Sequence, residues 1–124
     1  MVHNKSKLGN VLIVSAHDPS GAGLQADIET CQALKCYPAT IVTGLTTQNT
    51  RKLSSVKNIS AHDFRAQLET LLEEFSPDAC KVGLINSTDL IGSIAMSTYS
   101  SFLSILVGVL FVSSQTTKKS NNAL

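Results

Sequence analysis

The sequence is short of net charge, of cysteine and of nucleotide-binding glycine motifs, and each shortage excludes something. Ten Lys and Arg stand against nine Asp and Glu, a net charge of +1. Nucleic acid is held by clustered cations that displace counterions, so this balance leaves no electrostatic footprint for a nucleic-acid partner. The three cysteines, Cys31, Cys36 and Cys80, form no C-x-x-C pair and leave one unmatched. That pattern fits reduced packing cysteines in an intracellular, cytoplasmic chain better than a disulfide framework or a zinc site. Neither the G-K-[ST] of a P-loop nor G-x-G-x-x-G occurs, so neither common nucleotide fingerprint is available.

What is present suffices for one domain. A chain of 124 residues, 43% of them hydrophobic, can bury about two-thirds of its unfolded surface. Lys5 and Lys7 before Leu8–Val14 imitate the start of a signal peptide, but Gly9-Asn10 breaks the apolar part. A strand is the better reading, with Met1 to Gly9 a loose basic lead-in.

The chain is organised around D-P-S-G-A-G-L-Q-A-D, Asp18 to Asp27. Val11-Leu12-Ile13-Val14 before it reads as a buried strand. After it, Leu24, Ile28, Cys31 and Leu34 are spaced for one face of a helix, with Ser20 as the candidate N-cap. Gly21 and Gly23 carry no side chain to obstruct a ligand approaching the turn. At about 100° per residue, Asp27 falls inside the apolar arc. A carboxylate there is costly unless satisfied. Either neighbouring backbone satisfies it, or it binds a ligand.

Lys35-Cys36-Tyr37-Pro38 breaks the pattern, and Ala39 to Thr47 is a second β-branched strand ending in the polar turn Gln48 to Arg51. Val56 and Ile59 suggest a short edge strand. Ser60 and Asp63 have capping-box spacing, and Phe64, Leu68, Leu71, Leu72 and Phe75 mark an amphipathic helix stopped by Ser76-Pro77. Cys80 to Ile85 reads as a third main strand. Ser87 can cap a helix from Thr88 to Met96, with Asp89 favourable in its first turn.

Strands alternating with helices predict a parallel α/β sheet, and ligands of such sheets sit beyond the carboxyl ends of the strands. Here those ends are Ala16-His17-Asp18, Thr47-Gln48-Asn49 and Gly83-Leu84-Ile85. Their glycines and polar side chains favour a small-molecule pocket. Other residues have plainer readings. His17 borders the turn, while His62 reads as an ordinary first-turn helix residue. Lys81 can meet an acidic neighbour, although a strand lysine is usually solvated. Cys31 and Cys80 read as core.

Three blocks together, D-P-S-G-A-G-L-Q-A-D, T-G-L-T-T-Q-N-T (Thr43 to Thr50) and K-V-G-L-I (Lys81 to Ile85), resemble hydroxymethylpyrimidine and phosphomethylpyrimidine kinases of thiamine biosynthesis. The resemblance spans about Asn10 to Ala95. It implies a ribokinase-like, Rossmann-like three-layer α/β sandwich, with residues 1–95 its N-terminal half and 96–124 a divergent apolar segment and polar tail. It also implies a pocket for 4-amino-5-hydroxymethyl-2-methylpyrimidine. Asp27 matches the family carboxylate that bonds the aminopyrimidine, and Gln48 the polar residue reading the ring edge. Leu84 matches an apolar residue, often Met, packed on the ring, and Ala16 a position commonly Gly beside it. Asp18, Gly21 and Gly23 form the pocket turn. An amidine-like edge needs acceptors, which a carboxylate or amide supplies.

The chain departs from that family in three ways. Its turn has one glycine fewer than D-P-S-G-G-A-G, and Ala16 adds a methyl beside the ring. The ATP pocket, the Gly-Thr-Gly-Cys anion hole, the activating residue and the Asp-Pro-Val-Met strand have no counterpart in this sequence. ATP and Mg²⁺ are therefore implied by the family without residues here to bind them. The expectation is an incomplete C-terminal half, inactive alone, whose exposed sheet edge favours self-association. No charge occurs between Asp89 and Lys118, and Phe102 to Val112 is almost wholly apolar. A buried strand or helix is the leading reading of that run. The alternatives are a membrane span, for which it is short, and out-of-register sequence from a truncated product. Rival functions are another ribokinase-like kinase, for pyridoxal or a sugar, and a non-catalytic binding or regulatory fragment.

Overall fold

The computed structural model describes the backbone of residues 9–101 and the side chains of residues 9–94. Four strands and three helices follow in order: β1 Asn10–His17, α1 Leu24–Ala33, β2 Tyr37–Gln48, β3 Leu53–Asn58, α2 Ala61–Leu72, β4 Ala79–Val82 and α3 Thr88–Ser101. They form one sheet in the order β3-β2-β1-β4. β1 lies at its centre, parallel to β2 and to β4.

The sheet is mixed, not wholly parallel as the alternation predicts, because β3 runs antiparallel to β2. The connection from Gln48 to Leu53 is too short for the crossover that a parallel partner requires, so it closes a hairpin. Asn49 ties that turn, its side chain accepting from the backbone N–H groups of Arg51 and Lys52.

Register assigns the two faces. Leu12, Val14, Cys80 and Val82 share one face, and pack with Ile41, Phe64 and Leu68 of α2, Phe75 and Leu90 of α3. Phe64 and Leu90 are fully buried, each side chain worth about 1.5–3 kcal/mol of transfer free energy. Ile13, Ser15 and Lys81 share the opposite face, covered by α1. The layers are thus α1, sheet, and α2 with α3. α1 covers its face thinly: Leu24 is buried, but Leu34, predicted to continue the apolar stripe, is the C-cap and 58% exposed.

A bulge helps to shape the site. Between Ser15 and His17 on β1, β2 advances from Val42 to Leu45. β3 begins pairing only at Gly44, so Val42 has no strand partner on that side. The Gln67 amide of α2 fills the gap, accepting from the Val42 N–H at 3.1 Å and donating to its carbonyl at 3.3 Å. A glutamine thus stands in for a strand residue, satisfying groups that are costly to leave unpaired.

Element ends differ from expectation in readable ways. The Ser60 hydroxyl accepts from the Asp63 N–H, as the capping box predicts. α2 nevertheless ends at Leu72, three residues before Phe75, which a further turn holds in the core through its N–H to the Leu71 carbonyl. β4 stops at Val82 and not Ile85, because the chain beyond it bonds to a side chain of β1. α3 runs to Ser101, past the predicted Met96. Among the described residues no helix is long and apolar enough to cross a membrane. The run Phe102 to Val112 lies outside the described residues.

Candidate functional site

The three strand ends singled out in the sequence fall side by side, because β2, β1 and β4 are adjacent and point the same way. The turn after β1 lies at the middle of that edge. Asp18, 7% exposed, accepts from the Ser20 N–H at 2.8 Å and from the Ser20 hydroxyl at 2.6 Å. The Ser20 hydroxyl bond, followed by its backbone bond, holds the Asp18 carboxyl below its ordinary value of 3.8. Ser20 therefore does not cap the helix as predicted. Gly23 occupies the N-cap position, without a side-chain cap.

Gly23 is required there. Its φ is +57°, and a Cβ would stand 2.5 Å from the Ala16 carbonyl oxygen. The turn folds back so that Gly23 bridges to His17, which brings the start of α1 over the end of β1. Gly21, at φ +100°, has open space around its Cα. Ala16 is buried at 3% exposure beneath the turn. His17 itself is exposed.

Asp27 stands in the first turn of α1, its side chain 20% exposed. The apolar arc predicts a satisfied carboxylate, and its partner is a side chain rather than neighbouring backbone. Lys81 Nζ donates to Asp27 Oδ2 at 2.5 Å across the face of β1. Lys81, read from the sequence as solvated, is 43% exposed and paired. Among the described residues Asp27 Oδ1 has no hydrogen-bond partner.

On the far side of β1, Gln48 ends β2, half-buried, and its amide has no partner among the described residues. Leu84 is half-buried just beyond β4. Its backbone is anchored on both sides: its N–H donates to the Ser15 hydroxyl at 3.3 Å, and its carbonyl accepts from the Thr43 hydroxyl at 2.7 Å. Thr46 donates to the His17 carbonyl at 2.9 Å. Ser15, Thr43 and Thr46 are all buried, and sequence reasoning missed all three. A buried hydroxyl has to find a partner, and Ser15 gave that signal by interrupting the apolar run of β1, whereas Thr43 and Thr46 stand among other threonines of β2.

Burial pushes the Cys80 thiol up to about 11, and burial followed by Cys36 raises that of Cys31, so neither is an activated nucleophile. His62 is exposed in the first turn of α2, as predicted. Among the described residues no three His, Cys, Asp or Glu stand together as a metal site. What remains is one carboxylate oxygen and one amide, each without a partner among the described residues, and a small-residue turn, all at the same end of adjacent strands.

Comparison with known proteins gives a consistent picture. The profile of the phosphomethylpyrimidine kinase family matches residues 18–122. The chain is 38% identical over 87 residues to the hydroxymethylpyrimidine/phosphomethylpyrimidine kinase of Escherichia coli (strain K12), covering 69% of this chain and 33% of that protein. It is 37% identical over 86 residues to a chloroplastic thiamine biosynthetic bifunctional enzyme of Arabidopsis thaliana, covering 68% of this chain and 16% of that one. The chain thus spans a third or less of these relatives. Among solved structures, phosphomethylpyrimidine kinase from Clostridium difficile 630 superposes with a TM-score of 0.75 at 29% identity, over 79% of this chain and 43% of that one. A Bacillus subtilis pyridoxal kinase, solved as an ADP complex, gives 0.72 at 26% identity, over 79% and 40%. The fold is that of the ribokinase-like vitamin kinases, present in part.

Proposed function

From the premise that the chain belongs to the phosphomethylpyrimidine kinase family, we propose that its strand-end surface is the acceptor side of a hydroxymethylpyrimidine/phosphomethylpyrimidine kinase. One observation carries this reading. Three blocks distant in sequence, Asp18–Asp27, Thr43–Thr50 and Lys81–Ile85, meet at one end of three adjacent strands. The ligand is 4-amino-5-hydroxymethyl-2-methylpyrimidine or its phosphate, a small cytoplasmic metabolite. Asp27 Oδ1 accepts from the exocyclic amino group, the Gln48 amide reads the ring edge, and Leu84 packs on the ring face. Ala16 and the Asp18–Gly23 turn form the wall behind it.

The family uses ATP as donor. Among the described residues no three His, Cys, Asp or Glu are grouped to hold Mg²⁺. The chemistry the residues of this site supply is binding and orientation of the acceptor, which brings its hydroxyl to a defined position.

Pyridoxal is the second reading, because pyridoxal kinases share the backbone almost as closely, with a TM-score of 0.72 against 0.75. Calorimetry with the pyrimidine and with pyridoxal separates the two. Asp27→Asn is expected to weaken pyrimidine binding by about 1.5–3 kcal/mol, the scale of a charge-assisted hydrogen bond. Tighter binding of pyridoxal would favour the second reading. Unchanged pyrimidine affinity in Asp27→Asn would remove that carboxylate from the site.

A further inference from the structure

We infer that Lys81 is a positioning and specificity residue that fixes Asp27 as a one-oxygen acceptor and makes the site select the uncharged form of its aminopyrimidine. The inference rests on the assignment of Asp27 to the ring. A lone half-buried carboxylate beside an amidine-like edge would do two things. It would present two oxygens, and it would favour a ligand protonated on the ring nitrogen, because an opposite charge stabilises the charged form. The structure shows neither condition. Lys81 Nζ occupies Asp27 Oδ2, which leaves Oδ1 as the oxygen without a partner among the described residues and sets a cation against the carboxylate.

Lys81 is held where it can do this. It sits on β4 in register with Ile13 of β1, and a Cβ on Gly83 would lie 3.2 Å from its ammonium nitrogen. The lysine head thus lies beside the chain beyond β4 and bonds the first turn of α1. A positive charge beside Asp27 opposes a second one arriving on the ligand. It leaves the N–H of an uncharged amino group as the favoured donor to Oδ1.

The surroundings contribute little competing titration. On the face that α1 covers, β1 presents Ile13 and Ser15, β2 Thr40 and Val42, and β4 Ala79 and Gly83 flanking Lys81; none of these ionises. On α1, Cys31 feels both Asp27 and Lys81, but its thiol is raised, first by burial, and stays neutral. In the adjoining turn Asp18 is engaged by Ser20, and His17 acts on Asp18. A His17→Gln control removes that influence.

The test is the pH profile of pyrimidine affinity, by calorimetry on the 124-residue chain, across the ring pKa of the free ligand. For the native sequence, and for Lys81→Arg, affinity is expected to fall by about tenfold per pH unit below that pKa, the linkage slope when only the uncharged form binds. Lys81→Met keeps the stem but removes the charge, and its profile is expected to flatten or rise as pH falls. Lys81→Gln gives the same readout should Lys81→Met fail to fold. Nitrogen-15 NMR of the labelled ligand supplies a measurement on the native sequence: the bound ring nitrogen is expected to be unprotonated. Coincident profiles for native and Lys81→Met, or a protonated bound ring in the native complex, would overturn the inference. Insensitivity to Asp27→Asn would instead count against the assignment of Asp27 itself.

Discussion

Replacing Gly83 with alanine is expected to destabilise the fold by about 2–4 kcal/mol, a large share of a marginal domain's stability. A Cβ at this position would lie 2.1 Å from Ser15 Oγ and 2.8 Å from Ser15 Cβ. A hydroxyl can rotate away, but a Cβ fixed on the central strand cannot, and Ser15 is 1% exposed. Relief requires the chain after β4 to move off β1. That movement gives up the Leu84 N–H bond to Ser15 and strains the Gly83 N–H bond to the Val14 carbonyl at 2.8 Å. Overpacking of this kind costs about 1–3 kcal/mol, and a lost buried hydrogen bond adds about 1. Urea titration of the two proteins measures the difference. The double variant Ser15→Gly with Gly83→Ala is expected to recover part of the loss, since it removes the opposing Cβ. A cost below roughly 0.5 kcal/mol for the single variant, within the range of ordinary surface substitutions, would mean that the strand-end anchoring described above is wrong.

The 124 residues assayed by themselves are expected to phosphorylate the pyrimidine at least about 10²–10³ times more slowly than a full-length relative, the loss typical of even one missing oxyanion donor. Phosphoryl transfer needs donors around the γ-phosphate, metal to offset its charge, and a group that activates the attacking hydroxyl. This sequence has no Asp, Glu, His or Cys after Asp89, and Gly108 stands alone in an apolar run. In the proposed site the Gly21–Gly23 turn lies on the acceptor side. The assay uses purified chain, radiolabelled ATP, Mg²⁺ and the pyrimidine. Turnover within tenfold of a full-length relative would show that a second subunit or the C-terminal segment completes a donor site.

Much of the architecture was legible because strong local signals agreed. Val11 to Val14 and Ala39 to Thr47 are β-branched, apolar runs that favour strands, although Thr40, Leu45 and Thr47 of the second are exposed, and Ser60 with Asp63 marks the start of α2 by chemistry that needs no tertiary context. Asp27 was legible as an anomaly, a carboxylate in an apolar arc. Its partner was not, because Lys81 lies 54 residues away and only the parallel register of β4 with β1 brings it across. Ser20 misled for a related reason. A serine before a helix can cap it or bond an earlier carboxylate, and the choice fell to Asp18, two residues back, once Gly23 took the left-handed position. β3 was legible as an edge strand but not in direction, which the four-residue turn decides. The bulge opposite Ala16, and Gln67 bonding Val42 where β3 has no partner for it, arise from sheet register, which no local pattern encodes.

In the proposed site Asp27, Gln48 and Leu84 together hold an aminopyrimidine at the end of β1. A crystal structure of the chain with 4-amino-5-hydroxymethyl-2-methylpyrimidine tests it most directly. The amino nitrogen is expected within about 2.7–3.2 Å of Asp27 Oδ1, with Lys81 still on Oδ2, the Gln48 amide on the ring edge and the ring against Leu84. A ring bound elsewhere, or bound at this edge with Asp27 turned away from it, would contradict the claim.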